Sequence, residues 1–134
     1  NILIGLGDGG AHVDMLCDSG YPTYLLGTWV REREALSLEE AIRRLTSDPA
    51  DLFGITDRGR LHPGLAADIV VFDPDTIGPC MPTVVYDLPA GAQRLKQMAD
   101  GISATVINGQ VVLRDNLHTG ALPGQLLRGP LGRA

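Results

Sequence analysis

Cysteine is scarce in this sequence: Cys17 and Cys80 are the only two, too few and too far apart for a disulfide framework or a metal-knuckle spacing. A reduced, cytoplasmic setting follows as the mild inference. Long apolar runs are missing too. Those present, such as 69–72 and 105–107, are strand-length and far short of a membrane span. Basic clusters are also absent. The 11 Lys and Arg are scattered among 16 acidic residues, for a net charge of −5, which argues against nucleic-acid phosphate as a partner. The opening Asn-Ile-Leu-Ile-Gly-Leu has no initiator Met, basic n-region or apolar stretch of a secretion signal. It starts inside a hydrophobic strand, so residue 1 is expected to be a boundary within a longer polypeptide.

What is present suits a folded domain. With 134 residues, 44% of them hydrophobic, the chain is long enough for one ordinary core. Ile2–Leu6 form an apolar run closed by Gly5, Gly7, Gly9 and Gly10, the pattern of a buried strand ending in a tight loop. Ser37, with Glu40 three residues later, forms a capping box, after which Leu38, Ala41, Ile42 and Leu45 share one helical face. A second short helix is expected at Pro49–Phe53, capped by Ser47 or Asp48 and stopped by Gly54. Beyond Thr56 the texture turns to strands. Arg58–Leu61, Ala67–Asp73 and Ala104–Leu113 fit, with Asn108-Gly109 as a hairpin signal. Residues 74–101 hold Pro74, Pro79, Pro82 and Pro89 with little periodicity, as in a long surface excursion.

The segment Gly5-Leu-Gly-Asp-Gly-Gly-Ala-His12 sets a carboxylate, Asp8, and an imidazole on a glycine-rich loop directly after a strand. Glycines let backbone approach a substrate closely, and in a parallel barrel the strand C-termini open onto the active site. A carboxylate there can take a proton from an attacking water and return it to a leaving amine. The alternative for Asp8 is a plain turn in which it bonds its own backbone. For His12 it is an ordinary surface histidine. Tyr21, Tyr24 and Trp29 are candidates to line an apolar pocket, with packing as the alternative, favoured for Trp29. Asp14 and Asp18 read as solvated, and His62 and His118 as turn residues without a metal role. Asp68 reads as a structural carboxylate bonding turn amides near Gly64–Ala66.

The order of these pieces resembles the carboxy-terminal third of the N-acyl-D-amino-acid deacylases and related amidohydrolases. The pieces are Asp8-Gly-x-x-His12; a helical stretch Trp29-Val-Arg-Glu continuing to Leu36-Ser-Leu-Glu-Glu-Ala; Leu45-Thr-Ser-Asp-Pro-Ala; Asp57-Arg-Gly-Arg-Leu-His-Pro-Gly-Leu-Ala-Ala-Asp-Ile-Val-Val-Phe-Asp-Pro; Val106-Ile-Asn-Gly; and His118-Thr-Gly-Ala-Leu-Pro-Gly. The stretch from Gly59 to Pro74 is shared with dihydroorotase-like and cytosine-deaminase-like members, and so marks the superfamily better than the substrate.

The resemblance implies an α/β-plus-β fold: residues 1–56 supply the last strand and helices of a (β/α)8 barrel and 57–134 a small β-sandwich, with 74–101 as a long loop. It implies a zinc-dependent hydrolase of C–N amide bonds acting on a small-molecule substrate, with Asp8 catalytic and a possible metal ligand. His12 becomes a substrate-proximal residue, and the remaining metal ligands lie upstream of Asn1. The upstream part of the same protein and a second copy of it are the implied partners. One departure bears on specificity. Where the deacylases show His-Pro-Arg followed by a glycine, this chain has Asp18-Ser-Gly-Tyr-Pro-Thr-Tyr-Leu-Leu-Gly. The rival readings are a deaminase or cyclic-amide hydrolase of the same superfamily, and a non-catalytic β-rich module.

Overall fold

The computed structural model describes residues 3–5 and 12–127. After a 3-10 turn, Asp18–Gly20, comes helix α1, Tyr21–Tyr24, running on into a wider π-type turn, Leu25–Glu32. Then follow α2 (Leu38–Leu45), α3 (Ser47–Leu52), β1 (Ile69–Phe72), β2 (Gly78–Pro79), β3 (Thr83–Val85), β4 (Arg94–Lys96), β5 (Ala99–Asp100), β6 (Ile102–Ile107), β7 (Gln110–Arg114) and β8 (Leu117–His118). In place of one core, the chain forms two interleaved compact units. One comprises 1–4, 42–72 and 102–134, and the other 5–41 and 73–101.

The first unit is built on an antiparallel sheet in the order β1-β6-β7-β8. The hairpin expected at Asn108-Gly109 forms, with Ile107 opposite Gln110. Both turn residues have positive φ, 46° and 78°, the backbone of a type I′ turn that matches strand twist. Asp115 and Asn116, at φ 48° and 64°, make a second such turn into β8, because short Asx side chains tolerate the left-handed region. The strand expected to be buried at Ala67–Asp73 shortens to β1. As an edge strand it leaves Val70 52% and Val71 49% exposed.

Two expectations in this unit are corrected. Arg58–Leu61 forms bends with no strand: Gly59 takes φ 85°, and Arg58 and Arg60 are drawn to Asp68 and Asp51 at 2.7 Å each. α3 begins two residues earlier than expected, at Ser47, and Thr46 before it makes no side-chain cap. Pro49 fits there because first-turn amides lack intrahelical partners in any case.

In the second unit, α2 starts where expected, the Glu40 amide donating to Ser37 Oγ at 3.2 Å. The stretch from Trp29 to Ala41 is not one helix, however, since Glu34 turns to φ 49° and separates the wide turn from α2. Widening shows in the exit bonds: Arg33 N–H reaches Thr28 O and Ala35 N–H reaches Trp29 O, both at 2.9 Å. Such π-type insertions are uncommon and cluster at functional sites.

The excursion 74–101 is paired rather than bare. β2 pairs with β5 and β3 with β4, both antiparallel, and its Ile77 is the most buried large side chain among the described residues, at 2% exposure. Short two- and three-residue strands fall below the length at which alternation can be read from sequence. Residues 3–5 are described without strand pairing; Ile2 and Leu6 lie outside the described residues. No helix among the described residues is long and apolar enough to cross a membrane.

Candidate functional site

Asp8, the proposed catalytic carboxylate and possible metal ligand, lies outside the described residues. His12 is exposed with φ 54°, and its carbonyl accepts the Met15 and Leu16 amides at 2.8 and 2.9 Å, closing a turn. The adjacent Val13 carbonyl accepts the Leu95 amide of β4 at 2.7 Å. Strand β4 therefore holds the segment that carries His12 and Val13, a role that nothing in the unpatterned excursion announces.

Two residues on, Gln97 ties three segments together. Its Nε2 donates to the Cys80 carbonyl at 2.9 Å, and its Oε1 lies 3.9 Å from the Cys17 thiol. Burial, and after it the neighbouring Asp100, pushes the Cys80 thiol up from its ordinary value. That shift disfavours the Cys80 thiolate. Beside Gln97 lies an open hollow of about 270 Å³ lined by Cys17, Asp18, Tyr21, Tyr24, Pro79 and Gln97. Two of the three expected pocket aromatics thus meet here. Trp29 lines no part of it and stacks under the Arg33 guanidinium, 4.8 Å from the ring centroid. Arg31, unmarked in the sequence, donates to the Ile77 carbonyl at 2.6 Å, fastening the wide turn to the excursion.

The other chemistry-bearing residues are structural. Asp14 and Asp18 are exposed, as expected. His62 Nδ1 donates to the Pro63 carbonyl and His118 Nδ1 accepts the Gly120 amide, each at 2.9 Å, so both serve turns. Asp68 also has a structural role, but with different partners from the turn amides near Gly64–Ala66. Its Oδ1 accepts the Asn108 amide of the β6–β7 turn at 2.8 Å and its Oδ2 the Arg58 guanidinium at 2.7 Å. Arg58 is raised above its ordinary value, first by its bond to Asp57 and further by Asp68. Asp68→Ala is expected to cost about 1–2 kcal/mol by orphaning a turn amide and removing one of the two carboxylates that hold Arg58, discounted because the carboxylate is 30% exposed. Asp68→Asn, which keeps an acceptor for Asn108, should cost less than half as much. Urea unfolding of the two variants checks this, and equal losses would contradict it.

Among the described residues no group of three or more His, Cys, Asp or Glu side chains could hold a metal ion. A zinc site normally takes at least three protein ligands, so the described residues do not fit one.

Comparison with known proteins places this geometry. A profile of the amidohydrolase family matches residues 2–113. The chain is 40% identical over 106 residues to the N-acyl-D-glutamate deacylase of Alcaligenes xylosoxydans xylosoxydans, covering 79% of this chain and 20% of that protein. It is 41% identical over 106 residues to the N-acyl-D-aspartate deacylase of the same organism, covering 78% and 19%. Among solved structures, the N-acyl-D-glutamate deacylase from Bordetella bronchiseptica, complexed with zinc and a phosphonate mimic of the tetrahedral intermediate, superposes with a TM-score of 0.56 at 39% identity, over 69% of this chain and 18% of that one. The chain thus spans about a fifth of these relatives' length. With most of its residues matched by the family profile, and a fold shared with a relative well above the identity at which sequence and structure agree, the chain belongs to the amidohydrolase family.

Proposed function

We propose that this chain is the carboxy-terminal part of a zinc-dependent enzyme that hydrolyses the C–N amide bond of an N-acyl amino acid, the D series being favoured. The observation that carries this is the 40–41% identity to two deacylases of N-acyl-D-amino acids. In this reading residues 1–56 supply the last strand and helices of a (β/α)8 barrel, and 57–134 supply the β-sandwich. The excursion 74–101 returns to the barrel side, a reading supported by its compact unit with 5–41. The enzyme is read as cytoplasmic and as a homo-oligomer, with the strongly exposed Met81 and Tyr86 of the excursion available for contact.

Asp8 is the general base and acid: it takes a proton from the attacking water and delivers it to the leaving nitrogen. His12 sits close by in sequence and contacts substrate. Zinc, as in the Bordetella relative, would be held by side chains upstream of Asn1, since the described residues supply no ligand set. A zinc ion in such a site polarises the scissile carbonyl.

The test uses two samples. The whole enzyme should release free amino acid from an N-acyl-D-amino acid and lose that activity on zinc chelation. The 134-residue chain alone should bind zinc no tighter than about micromolar, because a tight site needs about three protein ligands. Tight stoichiometric zinc in the short chain would place the ligands within it. A whole enzyme that left every N-acyl amino acid intact but opened a cyclic amide would favour the ring-hydrolase reading.

A further inference from the structure

We propose that the hollow lined by Tyr21, Tyr24 and Gln97 is the subsite for the apolar acyl chain of the substrate; this rests on the amidohydrolase reading above. The charge pattern makes the assignment. An N-acyl amino acid is charged at one end, its carboxylate, and uncharged at the other. Among the described residues Asp18 is the one charged side chain lining the hollow and no cation does, so a carboxylate would be repelled there and the acyl end accepted.

The lining is suited to an apolar guest. Tyr21 is half-buried and Tyr24 45% exposed, so each presents ring surface to the opening, and aromatic rings supply large contact area at small entropic cost. Gln97, the most polar group of the floor, is already engaged, its Nε2 with the Cys80 carbonyl and its Oε1 beside the Cys17 thiol. One of its two Nε2 hydrogens is thereby turned away from a guest towards the Cys80 carbonyl. The floor also lies close against α1. A Cβ built on Gly20 would stand 2.4 Å from Gln97 Oε1, so the start of α1 rests directly on this side chain.

Position supports the same assignment. β4 holds Val13 through the Leu95 amide at 2.7 Å, and Gln97 follows β4 directly. The strand that floors the hollow is thus bonded to the segment carrying His12. On the other wall, the helix changes from α to the wider π form immediately after Tyr24, a deformation that re-aims side chains and is common at functional sites.

The experiment compares kcat/KM of the whole enzyme for N-acetyl-D-leucine and N-hexanoyl-D-leucine. Tyr24→Ala should lower the hexanoyl-to-acetyl ratio by at least about tenfold, the order expected when a hydrophobic pocket loses contact with a few methylenes. Tyr24→Phe, which keeps the ring, should restore the ratio. Cys17→Leu, which adds bulk at the rim, should also lower it, and provides the measurement should Tyr24→Ala fold poorly. Tyr86→Ala, a strongly exposed tyrosine outside the hollow, should leave the ratio unchanged. Equal falls for both substrates in Tyr24→Ala and Cys17→Leu would overturn the subsite and leave the amidohydrolase reading standing. A wild-type enzyme that hydrolyses neither substrate, nor any other N-acyl amino acid, would overturn both.

Discussion

In the whole enzyme, Asp8→Asn is expected to lower kcat by at least about a hundredfold, the lower range for losing a positioned general acid–base. Asparagine is nearly isosteric with aspartate and keeps one carbonyl oxygen, so a water can still be hydrogen-bonded at that position. It cannot take that water's proton at neutral pH, nor return one to the leaving nitrogen. KM should change by less than about threefold, because the interaction lost is made in the transition state and not in the ground state. Zinc content measured on the same sample separates the two roles assigned to Asp8. If it acts purely on the proton, the variant keeps its metal; if it also ligates, metal falls with kcat. The control is Asp14→Asn, six residues on and exposed, for which kcat should shift by less than about threefold, as for surface substitutions generally. Comparable losses at both positions, or full activity in Asp8→Asn at saturating zinc, would mean that the Asp-Gly pair serves only as a turn and that another carboxylate carries the proton.

Which parts of the molecule the sequence announces follows from the range of the forces involved. Ser37 and its helix were legible because a cap is a contact across three residues. The Asn108-Gly109 turn was legible because two left-handed residues in succession leave few choices of side chain. Asp115-Asn116 uses the same backbone but carries a weaker signal, since it lacks the glycine that makes such turns recognisable. Arg58–Leu61 looked like a strand, yet the competing pull of Asp51 and Asp68 on its two arginines comes from residues 9 and 10 positions away.

The site divides the same way. The chemistry proposed for it, with Asp8 in a glycine-rich stretch, is a reading made locally and through family likeness. Its scaffold cannot be read that way, because Gln97 is 80 residues from Cys17 and 17 from Cys80, and neither spacing belongs to a helix or a strand. Tyr21 and Tyr24 can be nominated as pocket aromatics from residue type alone, and Trp29, for which packing is the favoured reading, stands against Arg33.

The largest stability effect is expected at Gly101, and Gly109 isolates its cause. The two glycines have the same backbone, φ 77° and 78°, so an alanine at either pays a similar left-handed penalty of about 1–2 kcal/mol. Their surroundings differ. Around Gly109 a Cβ would meet nothing within 4 Å, while at Gly101 it would stand 2.6 Å from the Ile77 nitrogen and 2.7 Å from its Cα. Those atoms are backbone and cannot rotate away. Ile77 is the most buried large side chain of the described residues, and the turn before it is tied by the Asp73 amide to the Gly101 carbonyl at 2.8 Å and by the Thr76 hydroxyl to Asp73 at 3.0 Å. To admit a methyl group at Gly101, either this turn or the β5–β6 junction must move, withdrawing Ile77 from its contacts; loss of much of a buried isoleucine costs about 2–5 kcal/mol. Gly101→Ala should therefore destabilise the protein by about 3 kcal/mol or more, and Gly109→Ala by about 1–2 kcal/mol. Urea unfolding of both variants at matched protein concentration measures the gap. Equal shifts in midpoint would show that backbone strain alone accounts for the loss, and that the Gly101–Ile77 approach yields at little cost.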